Sequence, residues 1–228
     1  MGKMQYKEVL KRLESLSNPK NVEGMARFGI NPKDNYGISI PELRKIAKEI
    51  GKNHGIAQQL WETGIHEAKI LASMIDDPKM ITEKQMEKWV KDFDSWDVCD
   101  QVCMNLFDKT SFAYDKVIEW SKRDEEFIKR AGFALIASMA VHNKRTKDED
   151  FIKLLSIIER ESIDDRNFVK KAVNWALRQI GKRNLNLNKE VIKTAKEILK
   201  IDSKSANWIA NDAIRELTNE KIQKRLKK

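Results

Sequence analysis

The stretch RNFVKKAVNWALRQIG, residues 166–181, repeats EEFIKRAGFALIASMA, residues 125–140, at an offset of 41, with Phe168 over Phe127 and Ala172 over Ala131. WIANDAIREL, residues 208–217, continues the series at an offset of 37, through Ala213 over Ala176 and Arg215 over Arg178. Further upstream, HEAKILASMI at 66–75 echoes the Ala-rich segment at 129–138. Each copy carries apolar residues at the 3.6-residue spacing of a helix, and a period near 40 residues leaves few architectures open. One helical unit of that size cannot bury its own apolar face, so successive units must stack. Only four prolines and nine glycines interrupt the chain, and no segment alternates with a period of two. The expected fold class is therefore all-α, a curved solenoid of HEAT-like, armadillo-type repeats. About five or six helix pairs would stack as one domain over residues 1–228, without a flexible linker. Asp77-Pro78, Asp124, Asp164-Asp165 and Asp202-Ser203 fall at the breaks, where short polar side chains cap helix starts.

A chain of 228 residues is long enough to bury a stable core without disulfides or metals. Its two cysteines, four residues apart in one helical segment, are badly placed to bridge each other, and the chain reads as cytoplasmic. No apolar run has the length of a membrane span. The opening MGKMQYKEVLKRLESL reads as an amphipathic helix rather than a secretory signal, and the residues after Gly2 lack the Ser or Thr of a myristoylation motif. The net charge of +9 suits a polyanionic partner but does not identify one. Its distribution is uneven: residues 166–204 carry eleven Lys and Arg against three acids, and residues 92–126 carry four against ten.

The segment FDSWDVCDQVC, residues 93–103, lies in the acidic part. On a helix starting near Ser95 the apolar stripe is Cys99, Val102, Cys103, Leu106 and Phe107, which accounts for both cysteines as small core residues. Trp96 lies roughly 60° from the centre of that stripe and Asp100 roughly 100°. Two readings stand: a Trp tucked into the neighbouring repeat beside a solvated Asp, or an indole and a carboxylate working side by side. The helix from Asn167 to Ile180 buries Val169, Ala172, Val173, Ala176 and Ile180, which leaves Trp175 roughly 120° away, between Lys171 and Arg178. An aromatic face among cations can combine stacking with phosphate contacts; equally, such a Trp can pack under a neighbouring helix. Arg130 sits at the start of a segment that is otherwise apolar to Val141, where a guanidinium can orient a phosphate or pair with a nearby Asp. His54, His66 and His142 are scattered and read as surface or capping groups. HExxH and a Gly-rich phosphate loop are both absent, and nothing indicates a metal or cofactor. The terminal KIQKRLKK reads as a frayed, solvated helix end.

Taken in order, EGMARF, SWDVCD, KRAGFAL and FVKKAVNWALRQIGK resemble the AlkD-like DNA alkylation repair proteins over about residues 20–185. Those proteins are HEAT-like-repeat glycosylases that act on N3- and N7-alkylated purines. The resemblance implies that Asp100 is the catalytic carboxylate and that Trp96 and Trp175 form aromatic walls. It further implies that Arg130 contacts the DNA backbone near the lesion, and it sets Phe28 and Phe168 at aromatic positions of the family; with Lys171 and Arg178, the cations that flank Trp175 on its helix, these complete the expected DNA-binding set. Two departures bear on substrate range. Phe28 stands where the family often has Tyr, and Asn167 falls where another aromatic can occur. The implied partner is double-stranded DNA containing alkylated purines, bound by a monomer. Two alternatives remain open: a non-catalytic HEAT-like binder of damaged or branched DNA, distinguished by an absence of base release, and a protein-binding scaffold, distinguished by an absence of salt-dependent DNA affinity.

Overall fold

The computed structural model describes residues 5–227, so the first four residues of the expected amino-terminal helix and Lys228 at the other end lie outside the described residues. Among the described residues there are fourteen α-helices, and none is long and apolar enough to cross a membrane. The helices form two compact units, one reaching to Thr110 and the other starting at Ser111.

The first unit holds α1 (Tyr6–Ser15), α2 (Pro19–Ala26), α3 (Ile40–Ile50), α4 (His54–Trp61), α5 (His66–Ile75), α6 (Glu83–Lys91) and α7 (Trp96–Asn105), then a 3-10 turn at Phe107–Lys109. Its centre is α5, which packs against α3, α4 and α7 and buries nearly every side chain it has. That burial includes charged groups, and each finds a partner. Glu67 accepts hydrogen bonds from the backbone N–H of Tyr36 at 2.9 Å and of Ile38 at 3.0 Å. Lys69 Nζ donates to the Asp92 carbonyl at 3.0 Å, and His66 Nε2 meets Asp97 Oδ2 at 2.8 Å. His66 is 4% exposed, so the expectation that the histidines are surface or capping groups fails here. A lone His in a polar sequence gives no sign that its partner, 31 residues away, is brought beside it by the stack. His54 does sit at the start of α4, with Nδ1 at 2.7 Å from Asp76 Oδ1.

Trp61, the last residue of α4, and Trp89, on α6, stack with ring centroids 3.9 Å apart and nearly parallel, and Phe93 and Phe107 close the cluster. Burying aromatic side chains of this size contributes on the order of 2–3 kcal/mol each, so this cluster anchors the segment that carries α7.

The second unit holds α8 (Ala113–Trp120), α9 (Glu126–His142), α10 (Asp148–Glu161), α11 (Asn167–Gly181), α12 (Leu185–Ile198), α13 (Lys204–Leu217) and α14 (Glu220–Leu226). The repeat seen in the sequence is the row α9, α11, α13, in which each helix packs directly on the next, with α8, α10 and α12 as their partners. Every residue from Ile128 to Ala140 is buried, as an apolar helix internal to a stack requires. Hydrogen bonds one repeat apart join the row. Arg166 Nη1 donates to the Asp124 carbonyl, Ser205 Oγ to the Asp164 carbonyl at 2.7 Å, and Asn174 Nδ2 to Asp212 Oδ2 at 2.8 Å. Of the polar residues expected at the breaks, Ser203 is an N-cap, accepting from Ala206 N–H at 3.4 Å. Asp164 instead holds Arg166, the residue before α11, through its backbone N–H at 3.1 Å and its guanidinium. The terminal α14 buries none of its side chains.

Two predictions follow from these contacts. A Cβ at Gly132 would lie 2.8 Å from the Ser121 amide nitrogen and 3.2 Å from the Trp120 carbonyl carbon, so α8 crosses α9 through a gap that only glycine leaves. Gly132→Ala should therefore destabilise by about 1–3 kcal/mol, although alanine favours a helix by about 1 kcal/mol. Gly24→Ala in α2, where nothing lies within 4 Å, should instead stabilise by about 0.5–1 kcal/mol. Urea denaturation of both variants measures the contrast. The second concerns His66. Burial opposes its charge, but the Asp97 hydrogen bond and the charges of Asp97, Glu67 and Asp94 outweigh it and raise the imidazole pKa. A raised folded-state pKa gives stability that is complete below the unfolded value of about 6.5 and is lost as pH rises through the folded value. The stability gap between the wild type and His66→Gln should shrink from about pH 5.5 to about pH 9. An equal gap at both would show that the pair contributes no charge to folding.

Candidate nucleic-acid interface

Three of the expected site residues, Phe28, Trp96 and Asp100, lie in the first unit, and Phe28 and Trp96 are in contact. Ser95 is the N-cap of α7 and Trp96 is its first residue, half-buried, with its indole Nε1 donating to the Phe28 carbonyl at 3.0 Å. Phe28 lies in the turn after α2, where Gly29 takes φ 76°, a conformation that side chains with a Cβ rarely adopt. The turn presents its carbonyl to Trp96 and leaves the Phe28 ring 72% exposed. One face of α2 and the Phe28 turn, together with Ile38 and Trp96, line a cleft of about 740 Å³.

Asp100 follows Trp96 by four residues on α7, and both are half-buried on the edge of a stripe whose Cys99, Val102, Cys103, Leu106 and Phe107 are fully buried. The cysteines are therefore core, and burial pushes the Cys103 thiol pKa well up, away from thiolate chemistry. Neighbouring acids have structural tasks. Asp92 accepts from the Trp61 indole at 2.8 Å, Asp94 from Asn31 Nδ2 at 2.8 Å, and Asp97 faces His66. These bonds fix the approach to α7 from three sides and so set where Trp96 and Asp100 stand.

The remaining expected residues lie in the second unit. Arg130, on α9, is 5% exposed and its Nη1 donates to the Phe168 carbonyl in the first turn of α11. Phe168 also packs on Phe127, with ring centroids 5.6 Å apart at 31°. Farther along α11, Trp175 is half-buried and Lys171 exposed. With the Gln179 amide turned so that its oxygen faces the indole, Trp175 Nε1 donates to it at 3.1 Å. Arg178 is held by α13, Nη1 lying 2.6 Å from Glu216 Oε2 and Nε 3.6 Å from Asp212 Oδ2. Burial would raise the Glu216 pKa, but hydrogen bonds from Lys182 and Arg178 hold it below the usual carboxylate range. Arg178 is thus a positioned cation, with part of its charge already balanced.

The sequence assigns Trp208 no role beyond its place in the repeat. Trp208 is 43% exposed on α13, with Lys170 Nζ 5.4 Å from its ring centroid. The signal was available in the spacing, since Lys204, Trp208, Asn211 and Arg215 recur at helical intervals and all four are exposed.

Comparison with known proteins identifies the fold and the family. An uncharacterized protein of Listeria innocua serovar 6a is 23% identical over 193 residues, covering 83% of this chain and 84% of that one. A second, from Listeria monocytogenes serovar 1/2a, is 24% identical over the same length and the same shares. A solved structure described as a new family of proteins related to the HEAT-like repeat DNA glycosylases, with affinity for branched DNA structures, superposes with a TM-score of 0.77. It is 21% identical and covers 93% of this chain and 95% of that one, which establishes the HEAT-like fold. The model of the family described as DNA alkylation repair enzyme matches residues 9–217, nearly the whole chain, and the chain belongs to that family.

Proposed function

We propose that the protein is a monofunctional DNA glycosylase that hydrolyses the N-glycosidic bond of cationic N3- and N7-alkylated purines in double-stranded DNA. The observation that carries this reading is the pairing of Trp96 and Asp100 on one edge of α7, with the indole clamped to the Phe28 carbonyl.

The chemistry suits this residue set. An N3- or N7-alkylated purine already carries positive charge, so it departs with the electrons of the glycosidic bond as a neutral base and needs no general acid. Positive charge then moves onto the deoxyribose, and water adds at its anomeric carbon and gives up a proton. A carboxylate beside that sugar stabilises the transition state more than the ground state. At ~4 Å and an effective dielectric of ~20 the attraction is about 4 kcal/mol, an upper bound equivalent to about a thousandfold in rate. In this reading Asp100 supplies this charge and accepts the proton of the attacking water. The Trp96 face adds about 0.5–2 kcal/mol by attraction to the cationic base, and the exposed Phe28 ring extends that apolar wall.

Lys171, Trp175 and Arg178 form a DNA-contacting face on α11. Arg130 serves that face by fixing the Phe168 carbonyl, and with it the first turn of α11. A second reading, a non-catalytic binder of branched DNA, is favoured by the affinity for branched DNA structures of the family to which the structural neighbour belongs. It keeps the same surfaces and differs in releasing no base.

Base release from duplex DNA carrying N7-methylguanine or N3-methyladenine separates the two readings. The wild type should release both bases. Asp100→Asn should bind the duplex normally but lose about a hundredfold to a thousandfold in release rate. Full activity in that variant would remove Asp100 from the reaction, whereas binding without release in the wild type would leave the branched-DNA reading. Trp175→Ala should weaken binding and turnover together, by about tenfold in affinity. Unchanged affinity and rate would return Trp175 to a packing role.

A further inference from the structure

Of the six tryptophans, Trp61, Trp89 and Trp120 are buried, Trp96 and Trp175 are half-buried, and Trp208 is left in the open. Its surroundings are neither apolar nor acidic on balance. Lys204, Asn211 and Arg215 share its face of α13, and Lys170 approaches from α11, its ammonium lying over the ring. A cleft of about 290 Å³ opens beside the indole, lined by Trp208, Asn211, Asp212 and Arg215. Asp212, the one carboxylate in that lining, accepts from Asn174 at 2.8 Å, lies 3.6 Å from Arg178 and pairs with Arg215. Its charge is therefore offset, and it does not repel an anion brought to the rim.

The repeat explains how the face arose. At the offset of 37 that superposes Ala213 on Ala176 and Arg215 on Arg178, Trp208 falls on Lys171. The indole of α13 thus stands one turn earlier along its helix than the indole of α11 does. The two helices are locked side by side by Asn174 to Asp212 and Arg178 to Glu216, so both indoles project from one rigid pair.

We propose that Trp208 is a stacking platform for an unpaired nucleobase, with Lys170 and Lys204 holding the phosphates on either side. An aromatic face bordered by cations and open on one side takes a base that has left its duplex, because a paired base offers its face only to its neighbours in the stack. The ligand is a single-stranded tail or gap continuous with the duplex. This inference rests on reading the chain as a DNA binder, and not on the glycosylase chemistry.

The test uses two labelled hairpin duplexes of the same sequence, one blunt and one with a short unpaired tail, titrated at one fixed salt concentration by fluorescence anisotropy. The wild type should bind the tailed duplex more tightly. Trp208→Ala should lose about tenfold in affinity for the tailed duplex and leave blunt-duplex affinity unchanged, and Trp208→Phe should keep most of the preference. Photo-cross-linking of 5-iodouracil in the tail should label Trp208, a readout that a purely structural role for the ring would not give. Equal loss on both duplexes, or a wild type that does not distinguish them, overturns the proposal. Tail preference without base release from methylated DNA leaves it standing and removes only the glycosylase reading. Failure to bind either duplex removes both.

Discussion

A helix buried on every side must hand each of its charges to something else in the interior, and both inner helices that carry this burden, α5 and α9, do so at their first turns. On α5, His66, Glu67 and Lys69 reach Asp97, the backbone at Tyr36 and Ile38, and the Asp92 carbonyl. On α9, Lys129 reaches Glu161 at 2.8 Å, and Arg130 reaches the Phe168 carbonyl. Removing one partner of such a pair strands the other in a medium of low polarizability, at a cost of about 3–5 kcal/mol. These bonds therefore specify where loops and helix starts lie. They are also what brings Phe28 to Trp96 and sets the first turn of α11.

The acidic stretch that opens α7 shows how this division of labour shapes a site. Four aspartates stand within nine residues, and Asp92, Asp94 and Asp97 reach Trp61, Asn31 and His66. Each bond fixes a direction of approach and so fixes the spot at which Asp100 is delivered. In the second unit the same economy applies to cations. Arg178 and Lys182 share Glu216, so the exposed charge of α11 and α13 rests on lysines and on Arg215.

Much of this was legible in the sequence. The repeat that relates 125–140, 166–181 and 208–217 is the row α9, α11, α13, because the alanines and glycines that let helices approach closely must recur at each crossing. The stripe Cys99, Val102, Cys103, Leu106 and Phe107 was readable from helical periodicity alone and is buried throughout. What could not be read was long-range polar pairing. Nothing local to His66 announces Asp97, and nothing local to Trp96 announces a main-chain carbonyl 68 residues earlier. Trp208 was missed for a different reason. Its segment served to establish the repeat, and a residue that breaks the repeat, a Trp where the preceding copy has Lys171, is invisible to an alignment made on what the copies share.

The clamp on Trp96 has a consequence for how such a protein can change. Its indole N–H is held by the backbone of residue 28, not by the side chain there. The position of the Trp96 ring and the identity of the side chain at 28 are therefore uncoupled: substitution at 28 alters the size and polarity of the cleft lining while the ring of Trp96 keeps its place. Lineages can exchange an aromatic for an aliphatic or a hydroxyl at that point in single steps, each passing through a folded protein. The lining of that cleft can thus change without cost to the fold.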